Sequence, residues 1–138
     1  MQSTGDRHMN ITRRAATALA IGLTFFSGAA LAFAASKFEQ KSFEAALKSG
    51  KPVLVHVSAP WCPTCKAQAP ILEKLRSDNR FNALQAFDVD FDSQKDALRA
   101  LKATSQSTII VFKGGAEAGR SAGDTNPASI ETLLKKAL

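Results

Sequence analysis

The chain has 138 residues, enough for one domain and too short for two ordinary ones. Hydrophobic residues make up 45% and charged residues 22%, which excludes an intrinsically disordered chain. The net charge of +6 is scattered, with no basic run interleaved with aromatics, so no nucleic-acid partner is expected. The two cysteines, Cys62 and Cys65, are too few for a multi-bridge scaffold or a complete cysteine-rich zinc site.

The first segment reads as an address. Arg13 and Arg14 form a positive front, and residues 15–35 carry no charge. Leu19, Ile21, Leu23, Phe25 and Phe26 make the apolar centre, and Ala32-Phe33-Ala34 fits an A-x-A cleavage site. Residues 1–34 are therefore expected to be a leader, with a signal peptide over 9–34 and cleavage after Ala34. Residues 1–8 precede a second plausible start at Met9. The paired arginines also permit a twin-arginine signal, although the rest of that motif is absent. The competing reading is a retained membrane anchor over residues 15–35. Cleavage leaves residues 35–138, with fifteen basic and eleven acidic side chains, net +4. Outside the cytoplasm disulfides persist, so a lone cysteine pair there is redox-active or permanently oxidised.

In the remaining chain, Ser42 is expected to cap a helix through Phe43, Ala46 and Leu47 that stops at Ser49-Gly50. Val53 to Val57 is apolar on both parities, the pattern of a central strand covered on both faces. Pro63 to about Arg76 reads as a helix with Ile71, Leu72 and Leu75 on its buried stripe and a kink at Pro70. Ala83 to Asp90 reads as a strand. Ser93 and Asp96 give a start signal for a helix carrying Leu98 and Leu101. Thr108 to Phe112 is another buried strand, Gly114-Gly115 a hairpin turn, and Ala116 to Ser121 an edge-like return. Asn126-Pro127 caps and opens a last helix with Ile130, Leu133 and Leu134. Alternating units followed by a hairpin imply an α/β fold, a central mixed sheet with helices on both faces.

Cys62-Pro63-Thr64-Cys65 falls where a central strand gives way to a helix. The first turn of a helix offers unpaired N–H groups and the positive end of its dipole. A thiolate at Cys62 is stabilised there, and thiols in such sites ionise at roughly pH 3.5–7.5 instead of about 8.5. Pro63 suits the first turn because it has no N–H to leave unpaired. The spacing sets Cys65 one turn deeper, and Cys62 is expected to be the open, solvent-accessible sulfur. Cys62 then attacks a substrate disulfide, a mixed disulfide forms, and Cys65 releases the product. Two other readings compete at this point: an inert structural disulfide, and half a zinc site completed by a second chain.

The segment PVLVHVSAPWCPTCKAQAP resembles the active-site strand, turn and helix of thioredoxins. Trp61 precedes the first cysteine, Lys66 follows the second, and Pro70 lies five residues beyond it, as in that family. The likeness continues through Val89 to Asp92, Ser107 to Gly115 and Gly123, and covers essentially all of residues 35–138. The resemblance implies a thioredoxin-like fold and thiol–disulfide exchange, with Cys62 attacking and Cys65 resolving. It also implies that Trp61 and Ser107 lie where substrate makes contact.

The sequence departs from thioredoxins at three places. The family's buried aspartate on the central strand aligns with His56, and the lysine that accompanies it aligns with Asp88. His56 is then expected to accept the Cys65 proton, oriented by Asp88, since imidazoles change charge near neutral pH. The other reading is a buried histidine that serves packing alone. The family's cis-proline opposite the cysteines aligns with Ser107. A cis bond before a non-proline residue costs about 2.5–4 kcal/mol, so a trans Gln106–Ser107 bond and a rearranged loop are expected. The Ser107 N–H or hydroxyl becomes a donor to the Cys62 thiolate or to a bound peptide. Loss of the proline puts general disulfide-reductase activity in question. Pro63-Thr64 replaces the family's usual Gly-Pro and should alter the redox balance.

The expected function is thus an exported thiol–disulfide oxidoreductase acting on protein thiols and disulfides, as a monomer, in a periplasm or in secreted form. No cofactor is expected, because the sulfurs carry the electrons. A reducing role requires a membrane thiol carrier as electron donor. The alternatives are a metal-binding module using the same cysteines, such as a copper or zinc carrier or a metal-bridged dimer, and a non-catalytic docking scaffold.

Overall fold

A computed structural model describes residues 35–138. The expected signal peptide, its cleavage site and the paired arginines lie outside the described residues. Among these residues five strands and four helices follow one another, alternating up to a closing hairpin: β1 (Ser36–Lys37), α1 (Gln40–Lys48), β2 (Val53–Ser58), α2 (Pro63–Arg76), β3 (Gln85–Asp90), α3 (Lys95–Ala100), β4 (Thr108–Lys113), β5 (Ala116–Ala122) and α4 (Pro127–Lys135). A short 3-10 helix, Asn79–Phe81, follows α2. The sheet order is β1-β3-β2-β4-β5. β3 runs parallel to β1 and β2, and β4 runs antiparallel to β2 and β5, so the sheet is mixed as the element order implied.

β2 lies at the centre and has a fully buried Val53-Leu54-Val55-His56-Val57 run. Its two faces enter separate cores, as a strand apolar on both parities requires. Val53, Val55 and Val57 pack with Phe38, Phe43, Phe87, Ile110 and Phe112. Leu54 packs on the other side with Leu72, Phe81, Ile109, Ile130 and Leu134. His56 shares the parity of Leu54, and it is the polar residue of an otherwise apolar strand interior.

Several boundaries differ from the sequence reading, each for a local reason. α1 starts before Ser42, because Phe43 N–H already reaches Glu39 C=O at 2.9 Å. α3 is not started by Ser93 and Asp96. The Asp90 carboxylate takes the N–H groups of Asp92 and Ser93, and the helix opens after Gln94. The Gln94 side chain ties Asp90 N–H to Phe38 C=O. β3 begins at Gln85 rather than Ala83. The hairpin is as expected, with Gly114 and Gly115 both at positive φ, +55° and +84°. Asn126 caps α4, accepting from Ser129 N–H at 3.0 Å. β5 is an exposed edge strand with a register irregularity opposite Val111/Phe112.

Candidate active site

β2 delivers the chain, through Ala59-Pro60-Trp61, to Cys62 at the mouth of α2. Cys62 is itself the N-cap of that helix: its sulfur accepts from Cys65 N–H at 3.1 Å. The expectation of a sulfur at the helix tip therefore holds atom for atom, and Pro63 occupies the first turn. Cys62 and Cys65 are joined as a disulfide, with Cα atoms 5.3 Å apart.

The expectation of an open sulfur is corrected. Cys62 is 2% exposed and Cys65 4%, and both pack against Ala59 and Phe91. The cap geometry draws the first sulfur under the loop before β4, where Ser107 covers it. Trp61, by contrast, is 56% exposed, and its Nε1–H donates to Asp92 Oδ2 at 2.8 Å.

Ser107 stands opposite the pair. Its hydroxyl lies 3.1 Å from Cys62 Sγ and 3.3 Å from Cys65 Sγ. No described peptide bond is cis, so the bond before Ser107 is trans, as a non-proline residue predicts. Ser107 instead adopts φ +60°, the left-handed region that costs a non-glycine residue about 1–3 kcal/mol. The conformation is held through its carbonyl, which accepts from Gly123 N–H at 2.9 Å and from the Gln68 side chain at 3.0 Å.

His56 and Asp88 are register partners across β2 and β3, with Nδ1 to Oδ1 at 3.6 Å. The imidazole is buried and the carboxylate half-exposed. His56 and Asp88 line, together with Cys65, a cleft of about 600 Å³ that also takes in Lys37, Lys66 and Arg76. His56 makes no direct hydrogen bond to Cys65, so any proton passed between them crosses this cleft. At the cleft's edge, Asp90 is held below the usual carboxylate range by the Ser93 N–H and hydroxyl. Among the described residues, no three His, Cys, Asp or Glu side chains gather as a set of metal ligands.

The other nitrogen of His56, Nε2, lies 3.0 Å from Gln68 Oε1. Gln68 was not singled out from the sequence. The signal was present, since Cys65, Gln68, Leu72 and Leu75 are spaced three, four and three apart along the buried face of α2. A polar residue on that stripe must find partners inside. The buried polar residues among those described are His56, Gln68, Ser107 and Thr108; the first three sit at this site, and Thr108 opens β4 beside it. Such burial is informative where an exposed polar residue is not.

The comparisons with known proteins agree with this geometry. The thioredoxin family model matches residues 34–136. A thioredoxin of Mycolicibacterium smegmatis is 38% identical over 93 residues, 67% of this chain and 83% of that protein. A bifunctional thioredoxin reductase/thioredoxin of Mycobacterium leprae is 38% identical over 88 residues, 64% of this chain but 19% of that protein. The crystal structure of Trxlp from Edwardsiella tarda EIB202 superposes with a TM-score of 0.72 at 39% identity, covering 73% of this chain and 98% of the other. With a sulfur capping the helix, its mate one turn behind and this likeness along residues 34–136, the chain belongs to the thioredoxin family of thiol–disulfide oxidoreductases.

Proposed function

We propose that this chain exchanges disulfides with protein partners outside the cytoplasm, after residues 1–34 have been removed. The observation that carries the proposal is the Cys62 sulfur at the N-terminus of α2, with Cys65 N–H at 3.1 Å and the Ser107 hydroxyl at 3.1 Å. The Cys65 N–H, joined by the Ser107 hydroxyl when it turns its hydrogen to this sulfur, favours the thiolate, the attacking species. In the reducing direction Cys62 thiolate attacks a partner disulfide, and one partner sulfur leaves with the electron pair. Cys65 gives up its proton, attacks Cys62, and expels the second partner sulfur. His56, with Asp88 beside it, receives that proton through the cleft. Trp61, exposed beside the pair, is the surface that first meets the partner, and Ser107, buried against the sulfurs, is reached only when the partner's sulfur is at Cys62.

The leader's signal layout supports export, and a membrane thiol carrier is the electron source that a reducing role in an oxidising compartment requires. No helix among the described residues is long and apolar enough to cross a membrane. The working form is proposed to be a monomer.

The test is a pair of variants offered to a disulfide-bonded protein with the chemical reductant removed. Cys65→Ser is expected to accumulate a mixed disulfide through Cys62, and Cys62→Ser to form none. Equal trapping by both variants overturns the assignment of roles. The mass of the protein recovered from the periplasmic fraction checks cleavage after Ala34. The reduction potential gives the direction: near −270 mV marks a reductant and near −120 mV an oxidant.

A further inference from the structure

The Gln68 amide is fully buried, 0% exposed, and each end of it has a partner. Its nitrogen faces two backbone carbonyls, Ser107 C=O at 3.0 Å and Asp124 C=O at 2.8 Å. Carbonyl oxygens only accept, so the group facing both must be the NH2, and the orientation of the amide is settled by its neighbours. Its Oε1 then faces His56 Nε2 at 3.0 Å, and an oxygen with no hydrogen requires N–H there. The tautomer of the neutral imidazole follows: Nε2 carries the hydrogen, and Nδ1, on the Asp88 side, holds the lone pair.

We infer that Gln68 is a positioning residue. It fixes His56 in the Nε2–H form, so that Nδ1 is the nitrogen that takes up the proton of the resolving thiol, and it ties the ring to the Ser107 loop over the sulfurs. The inference rests on the proposed role of His56 as proton acceptor. In the resolving step the Cys65 S–H bond breaks and its proton passes through the cleft to Nδ1. The Cys65 sulfur forms a bond to Cys62, and the bond from Cys62 to the partner breaks. The electron pair leaves on the partner sulfur, which is reduced as the cysteine pair is oxidised. Protonation at Nδ1 gives an imidazolium with N–H on both nitrogens: Nε2–H keeps its bond to the Gln68 oxygen, and the added hydrogen faces the Asp88 carboxylate. The titratable and charged groups around the ring are Cys65, Lys66 and Arg76 from α2, Asp88 and Asp90 from β3, and Lys37 from β1. β4 contributes Ile109 opposite His56 and no charge.

The first measurement uses the unaltered, reduced protein: the 15N shifts of the His56 imidazole at a pH where it is neutral. The Nε2–H tautomer is expected, and the Nδ1–H tautomer overturns the inference. The second uses Gln68→Leu, which keeps bulk and removes both ends of the amide. A shift toward Nδ1–H, with the resolving step about tenfold slower, is expected. An unchanged tautomer and rate overturn the inference. Gln68→Glu keeps an acceptor toward Nε2 but opposes two carbonyls. It is expected to retain the tautomer while freeing the Ser107 loop, and it carries the comparison if the leucine variant does not fold. His56→Ala separates the two readings. If it leaves the pH profile of the resolving step unchanged, the acceptor role fails, and the tautomer measurement still decides what Gln68 does.

Discussion

The hydroxyl of Ser107 sits 3.1 Å from the sulfur of Cys62, where thioredoxins present a proline ring that has no hydrogen to give. A hydroxyl beside a thiolate donates to it, and hydrogen bonds to charged groups contribute about 1.5–3 kcal/mol. On the proposed reading Ser107 therefore favours ionised, reduced Cys62.

Ser107→Ala tests this contact. The pH midpoint of Cys62 alkylation in the reduced protein is expected to rise by roughly one unit. The reduction potential is expected to become more negative by about 30 mV, since the reduced form loses stabilisation. No change in either would show that the hydroxyl hydrogen points elsewhere.

Replacing His56 by Ala removes the group proposed to receive the Cys65 proton. Stopped-flow measurement of mixed-disulfide resolution near neutral pH should show a slowing of about 10²-fold, the lower end of what a general base contributes. Asp88→Asn is expected to give a smaller slowing, because the neutral amide no longer offsets the positive charge 3.6 Å away on the ring.

Acid sensitivity should show at the clasp between the 3-10 helix and α4. Arg80 bridges Asp78 at 2.7 Å and Glu131 at 2.6 Å. The guanidinium, with the Arg80 N–H beside it, holds the Asp78 carboxyl down from 3.8 to about 2. A carboxyl depressed on folding contributes stability above its unfolded value and loses it as pH falls toward the folded one. Asp78→Asn is therefore expected to lower the urea midpoint at neutral pH, with the two proteins converging as pH falls to about 2. Curves that stay parallel down to that pH would contradict it.

Phe87→Ala empties the meeting point of three aromatic rings. The Phe87 ring lies 6.2 Å from that of Phe38 and 5.9 Å from that of Phe43, centroid to centroid, on the β2–β3 face away from His56. A loss of about 3–5 kcal/mol by urea unfolding is expected. The alkylation midpoint of Cys62 should stay put, since the cavity opens in the other core.

What could be read from the sequence follows a physical division. β2, α2, β4 and α4 were legible because their burial is written in local periodicity and their ends in proline, glycine and asparagine. β1 was not, because two exposed residues become a strand only by pairing with Phe87 and Asp88. Ser42 misled because a good capping residue loses to a helix that can begin earlier on Glu39. At the site, the cysteines, His56, Asp88 and Ser107 were found by alignment with a familiar pattern. Gln68 was not, because its meaning lies in carbonyls 39 and 56 residues away.

The left-handed backbone at Ser107 closes this position to the residue that thioredoxins carry there. Proline's ring confines φ to near −65°, so it cannot enter a position held at +60°. Restoring the family's residue by a single codon change would collide with the anchoring that Gly123 and Gln68 supply to that carbonyl. Serine and its anchors thus form one unit: proline could stand here only if the residues that hold this carbonyl changed with it.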